Sequence, residues 1–285
     1  MGSVPTAPTR PGGAIAAWLP RRSRSLETRK VAERKEISRT ERLVRGAAGV
    51  VVVLVAWQLL STYNVVNRVL WSSPSNIWSS FLTLVRNGTL GSACLNSGEL
   101  FIISFALSLA VGVVLGVVLG WYQRTRAIID PWVSMLYATP RIALIPLVIA
   151  IFGIALKTQV ITVMLLAVFP IIINVAAGVA AMDRDQLRVA RSYLATNWDV
   201  LRGVALPGAL PYIVAGVQQG LVMTLNGIVI AEYFVGNNGI GGLIINASQN
   251  LQTGNAFVGA TIFALASLLL TALLRALDQK VAKWR

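Results

Sequence analysis

Leu100-Phe-Ile-Ile-Ser-Phe-Ala-Leu-Ser-Leu-Ala-Val-Gly-Val-Val-Leu-Gly-Val-Val-Leu-Gly-Trp-Tyr122 contains no charged residue. As a helix rising about 1.5 Å per residue, it is long enough to cross the roughly 30 Å hydrocarbon core of a bilayer. Ser104, Ser108, Gly112, Gly116 and Gly120 recur along it at helical i, i+4 spacing. These small residues share one stripe, along which a second backbone can approach closely. The stretch therefore reads as a membrane span built for tight helix packing, against this chain or a second copy of it.

Comparable apolar runs lie on both sides, at Gly46–Tyr63, Pro131–Ile154, Thr158–Ala181, Pro211–Tyr233 and Gly254–Leu277. Hydrophobic residues make up 55% of the chain and charged residues 13%, a balance far from that of soluble domains. The expected fold is an all-α membrane protein of six transmembrane helices, with no room for a separate soluble catalytic domain.

A formal net charge of +14 would suit a nucleic-acid partner if it were spread over one surface. It is instead sorted by topology. Before the first span lie Arg10, Arg21, Arg22, Arg24, Arg29, Lys30, Arg34, Lys35, Arg39, Arg42 and Arg45. Arg124 and Arg126 follow the second span; Arg184, Arg188, Arg191 and Arg202 follow the fourth; Arg275, Lys280, Lys283 and Arg285 end the chain. The opposite side receives only Arg68, Arg86 and Lys157, and Arg141 falls within the third span. This bias places both termini in the cytoplasm and removes the nucleic-acid reading.

Residues 1–24 are rich in Pro, Gly, Ser, Thr and Arg, and a disordered basic tail is expected there. Ala14–Leu19 is too short for a signal-peptide core, so no cleavable leader is expected. Over 25–45 the charges take helical spacing, as in Glu41–Arg45, which suits either a solvated helix or a basic amphipathic helix lying on lipid headgroups. Residues 46–285 form the transmembrane domain, with a cytoplasmic loop at 182–210.

Pro140, Pro146 and Pro170 interrupt the third and fourth spans and should kink or break them. Arg141 and Asn174 stand beside this interrupted backbone, where transporters place pathways; they could equally snorkel or bond across to another helix. Span five carries Gln218, Gln219, Thr224 and Asn226, with Glu232 at its outer end. Those polar groups cannot all face lipid, so they line a path or join helices. Arg141, Asn174, Thr224, Asn226 and Glu232 are the candidate path residues.

Enzyme chemistry finds little support. There is no histidine and a single cysteine, Cys94, so most metal sites and every histidine acid–base scheme are excluded. No phosphate-binding GxxxxGK[ST] run occurs, and Gly236-Asn-Asn-Gly-Ile-Gly-Gly242 lacks dinucleotide spacing. That glycine-rich run reads as a turn into a short re-entrant or interfacial piece. No catalytic residue, metal site or cofactor is expected in this chain.

In the 182–210 loop, Asp185 can cap a short helix whose Leu187, Ala190 and Leu194 share a face. Thr196 or Asn197 can cap a second, carrying Trp198, Leu201 and Ala205, before Pro207 stops it and Pro211 opens span five. Two amphipathic helices here need burial, against the protein's own helix ends or in a partner's groove.

The loop resembles the signature E-A-A-x3-G-x9-I-x-L-P of permease subunits of ATP-binding-cassette importers. Arg188-Val189-Ala190, Leu194, Val204, Leu206 and Pro207 keep every spacing. Ile142-Ala-Leu-Ile-Pro146-Leu with Phe152-Gly153-Ile154, Ala231-Glu232 with Asn238-Gly239-Ile240-Gly241, and Leu251-Gln252-Thr253 are similar to the nitrate/sulfonate/taurine-type branch. Two positions depart from the pattern: Arg188 stands for its Glu, and Leu194 for its Gly, which suits a turn of positive φ.

The resemblance implies the membrane-spanning permease subunit of a binding-protein-dependent importer of type I fold in the plasma membrane. Its implied partners are a second permease copy, two cytoplasmic ATP-binding subunits that hold ATP and Mg, an extracytoplasmic solute-binding protein, and membrane lipid. Asp185, Leu187, Arg188, Ala190, Arg191, Leu194, Trp198, Val204 and Pro207 would couple to the ATPase. Small oxyanions or organic sulfonates would be carried. A stand-alone channel or secondary transporter is the alternative, and it would need intramembrane acids that the spans scarcely supply beyond Glu99 and Glu232.

Overall fold

The computed structural model describes residues 39–63, 68–236 and 238–282. The 1–24 tail and most of the 25–45 interfacial segment lie outside the described residues. The chain divides into two compact units, Met1–Ala56 and Trp57–Arg285.

Helix α1, Arg39–Thr62, opens with an exposed Glu41–Arg45 ion pair at 2.6 Å and continues into the first apolar run. Residues 39–43 are continuous in helix with the candidate span, Val44–Thr62.

In the second unit, a single turn at Arg68–Trp71 precedes α2, Pro74–Arg86. Ser73 caps α2 by accepting from the Asn76 amide at 3.2 Å, and Pro74 fits the first turn, where an amide hydrogen would have no partner. There follow α3, Thr89–Trp121; α4, Gln123–Ala138; a 3-10 turn at Arg141–Leu144; α5, Ile145–Phe152; and α6, Leu156–Ala180. Then come α7, Arg184–Ser192; α8, Leu206–Val235; α9, Ile240–Gln249; and α10, Thr253–Ala282.

Among the described residues five helices are long and apolar enough to cross a membrane, and the bent pair α4 and Arg141–Phe152 makes a sixth if counted as one span. The expected third span, Pro131–Ile154, therefore needs correction. Its two arms meet at 91°, with Thr139 and Pro140 at the elbow. Pro140 blocks continuation of α4, whereas Pro146 sits harmlessly in the first turn of α5.

Pro170 was expected to interrupt the fourth span, yet α6 runs through it unbroken. Pro211 likewise lies inside α8 rather than opening it.

Helix α6 is the most enclosed span. The small-residue stripe of α3 finds its partner here, within the same chain. A Cβ on Gly112, Gly116 or Gly120 would come within 2.7 Å of Ile171, 2.6 Å of Val175 and 2.6 Å of Val179 respectively. From the other side Gly220 and Gly227 of α8 press on Ile171 and Val163. Ile171, fully buried, is gripped between Gly112 and Gly220. The β-branched row of α6 thus fills glycine grooves on two neighbours, which brings the three backbones together.

Candidate functional site

The loop expected to couple is ordered by its own backbone. Asp183 caps α7, its Oδ1 accepting from the Asp185 amide at 2.9 Å. The cap is therefore Asp183, while Asp185 sits in the first turn and pairs with Arg188 at 3.4 Å, both side chains largely in solvent. Asp183 wins because its backbone is still extended, as a cap residue requires.

At the far end the Leu194 amide donates to Arg191 O at 3.0 Å and the Ala195 amide to Ala190 O at 3.2 Å. This crossed pair is a Schellman turn, which needs a left-handed residue at its corner. Leu194 fills that corner with φ 59°. It has left the helix face it was expected to share with Leu187 and Ala190, and is 92% exposed. Leu187 and Ala190 remain half-buried.

A leucine in the left-handed region costs roughly 1–2 kcal/mol, partly offset by the unfolded-state entropy that glycine would add. Leu194→Gly is therefore expected to stabilise the turn by about 0.5 kcal/mol. The Ala195 amide should exchange with deuterium more slowly; unchanged or faster exchange would contradict the strain.

Thr196 caps the next helical turn, Asn197–Val200, in a reciprocal box: Asp199 Oδ2 accepts from the Thr196 amide at 2.9 Å, and the Asp199 amide donates to Thr196 Oγ1 at 3.3 Å. Pro207 does not stop this segment. A π-turn at Leu201–Ala205 passes it directly into α8, with Pro207 in the first turn of the latter. Wider i→i+5 bonding accommodates a proline that cannot donate. Val204 is half-buried and Pro207 exposed. The loop so built turns Arg188, Val189, Arg191, Tyr193, Leu194 and Trp198 outward, with Trp198 64% exposed. That is an apolar and cationic surface with little of this chain to cover it.

The candidate path residues fall in three places. Asn226 is exposed on α8, and so is Gln219 two turns earlier. Asn174 of α6 donates to Gln219 Oε1 at 3.0 Å and to Pro170 O at 2.8 Å. Amides on an exposed face of a spanning helix need water, a partner or a solute.

Thr224 and Glu232 do not join that face. Thr224 is fully buried and donates to Gly220 O at 2.9 Å. Glu232, only 2% exposed, accepts from Ser97 Oγ at 2.5 Å and from the Gly241 amide at 2.6 Å, while Ser97 Oγ accepts from the Ile240 amide at 2.9 Å. The carboxyl thus fastens the start of α9 to α3 and α8. Gly239 is needed there, since a Cβ would collide with both the Glu232 carboxyl and the Ser97 hydroxyl. Beside it lies a polar cavity of about 270 Å³ reached by Asn96, Glu99 and Gln159. Arg141, the remaining candidate, is half-buried and donates from Nη1 to Leu166 O at 3.0 Å.

Ser97 was missed because it precedes the apolar run taken as span two; α3 begins at Thr89, eleven residues before Leu100. Its position seven residues, about two helical turns, before Ser104 puts it on the face of the small-residue stripe, and that was the available signal.

A bundle of spanning helices with an exposed, well-capped helical loop is the build of a transporter's membrane subunit. Residues 109–283 match the family described as binding-protein-dependent transport system inner membrane component, and the chain belongs to that family. The putative aliphatic sulfonates transport permease protein SsuC of Escherichia coli (strain K12) is 35% identical over 81% of this chain and 88% of its own length. The protein of the same description from Bacillus subtilis (strain 168) is 31% identical over 82% and 85%. A chain of the MetNI methionine ABC transporter, in an inward facing conformation, superposes with a TM-score of 0.57 at 20% identity, covering 68% of this chain and 95% of that one. At that identity the likeness concerns the fold alone. The protein is a multi-pass inner-membrane permease of an ABC importer.

Proposed function

We propose that this permease works as a homodimer moved by two separate ATP-binding subunits, which hold ATP and Mg and seat the 182–210 loop in a groove on their surface. The loop faces the cytoplasm, in keeping with the distribution of Lys and Arg. An extracytoplasmic binding protein delivers the solute to the opposite side. The observation that carries this reading is the loop itself: an Asp183 cap, a Schellman turn at Leu194 and a Thr196 box hold an otherwise uncovered surface in one shape. Pre-organising a surface lowers the entropic cost of docking it.

The second copy covers the exposed amide face of α8, and the path runs between the two copies past Asn174, Gln219 and Asn226. The N–H groups of Gln219 and Asn226 can donate to the oxygens of a small oxyanion or organic sulfonate without holding it by charge, while Asn174 spends its two on Pro170 O and Gln219 Oε1 and so fixes the Gln219 amide. The sulfonate assignment follows the descriptions of the two SsuC relatives. Closure of the ATPases draws on Leu187, Arg188, Ala190, Arg191, Leu194 and Trp198, and the spans rock to open the path outward.

The test is Ala190→Asp, which puts a carboxyl where α7 is half-buried. Uptake should fall by roughly a hundredfold, the loss expected for about 3 kcal/mol at an interface hot spot, while membrane insertion persists. The ATPase should no longer co-purify in mild detergent. Normal uptake by this variant would remove the loop from the mechanism.

A further inference from the structure

Arg141 follows the elbow directly, at the first residue of the 3-10 turn. Its guanidinium lies 5.0 Å from the ring centre of Tyr137 and 5.8 Å from that of Phe169, and donates to Leu166 O at 3.0 Å. No carboxylate pairs with it among the described residues.

Leu166 precedes Pro170 by four residues. In an α-helix its carbonyl would accept from the amide of residue 170, and proline has no amide hydrogen. Such a carbonyl inside a membrane span has no water to turn to. Helix α6 nevertheless continues intact from Leu156 to Ala180. The donor that meets the gap comes from the far side of the elbow, and the two aromatic rings that hold the cation come one from each part, Tyr137 from α4 and Phe169 from α6.

We propose that Arg141 is a positioning residue of the transport cycle: its guanidinium supplies the hydrogen that Pro170 withholds from Leu166, and so ties the elbow to the central helix and makes the two move as one body. The arrangement replaces a bond inside one helix by a bond between two segments. A proline that would otherwise weaken α6 becomes the anchorage of the bent span.

A double-mutant cycle over Arg141→Ala and Pro170→Ala tests this, with Arg141→Lys as a milder variant. The first readout is the melting temperature of the full-length chain in mild detergent, which does not depend on transport. Arg141→Ala should lower it by several degrees, and the same change in the Pro170→Ala background by about half as much or less, because alanine returns an amide to Leu166. Arg141→Lys should fall between, since an ammonium can donate but cannot lie flat between two rings. Equal shifts in the two backgrounds would overturn the assignment.

The second readout rests on the importer reading: ATP hydrolysed per solute taken up by the reconstituted complex. Arg141→Ala should raise that ratio about threefold or more, and Pro170→Ala should bring it back down, in step with the coupling energy between the two sites. A ratio unchanged by Arg141→Ala would show a packing contact only and sink the proposed part in transport. A wild-type complex without uptake would count against the importer reading, while the melting cycle would still decide the link between Arg141 and Leu166.

Discussion

Gly116→Leu is expected to leave almost no monodisperse protein after solubilisation and size-exclusion chromatography, whereas Gly91→Leu on the same helix should behave as the parent. The contrast lies in what a side chain would meet. At Gly116 the first added carbon would already stand 2.6 Å from Val175 Cβ and 3.0 Å from the Ile172 carbonyl; at Gly91 nothing lies within 4 Å. Overpacking a close-packed interior costs about 1–3 kcal/mol when neighbours can shift. Here the obstruction includes backbone, so α3 and α6 must part. Parting them also undoes the contacts of Gly112 with Ile171 and Gly120 with Val179. The loss should therefore exceed that range. Gly116→Ala with Val175→Gly, which removes the Cβ that stands 2.6 Å away, should recover part of the protein that Gly116→Ala alone loses; failure of the paired change would mean that the stripe does not work through this contact.

The second large effect is expected at Glu232. Removing the carboxyl in Glu232→Ala leaves the Ser97 hydroxyl and the Gly241 amide without their acceptor in a buried place. Each stranded donor costs about 1–3 kcal/mol, so a loss of about 3–5 kcal/mol is expected. Glu232→Gln keeps one acceptor oxygen and should lose less. Because the carboxyl fastens the start of α9, the change should appear first as local opening. Amide exchange over residues 238–249 is expected to quicken by roughly a hundredfold or more in the alanine variant, before the rest of the bundle responds. Exchange as slow as in the parent would show that α9 is held by its packing on α10 and not by this carboxyl.

The places where sequence reading succeeded and failed have physical causes. Apolar length announced the five unbroken spans but not the bent third, and the i, i+4 stripe from Ser104 to Gly120 announced close packing. The stripe could not name its partner, because the matching row Ile171, Val175 and Val179 looks like any other apolar sequence. Pro140, Pro170 and Pro207 offered the same local signal and had three outcomes: a 91° elbow, an uninterrupted helix and a π-turn. What separates them is the distant donor or the wider turn each one finds, and neither is written next to the proline. The loop was more legible, since caps and turns are local chemistry; the family spacing put a turn corner at Leu194, and its φ is positive. The burial of Glu232 was not legible, because an acid near the end of an apolar run looks the same whether it lines a mouth or ties helices together. Its partner Ser97 lies 135 positions away in the chain.

The segment Asn197–Val235 is helical without a break over 39 residues, roughly 58 Å at 1.5 Å each. Trp198 rides near one tip and Glu232 near the other. Such a pushrod would need no relay of side chains: a shove at the Trp198 tip would be felt under the glycines that follow Glu232. Its slack lies toward one end, in the wide turn at Leu201–Ala205 and at Pro211, which has no amide to donate. Stiffening or loosening those five residues should therefore retune both mouths of the permease at once.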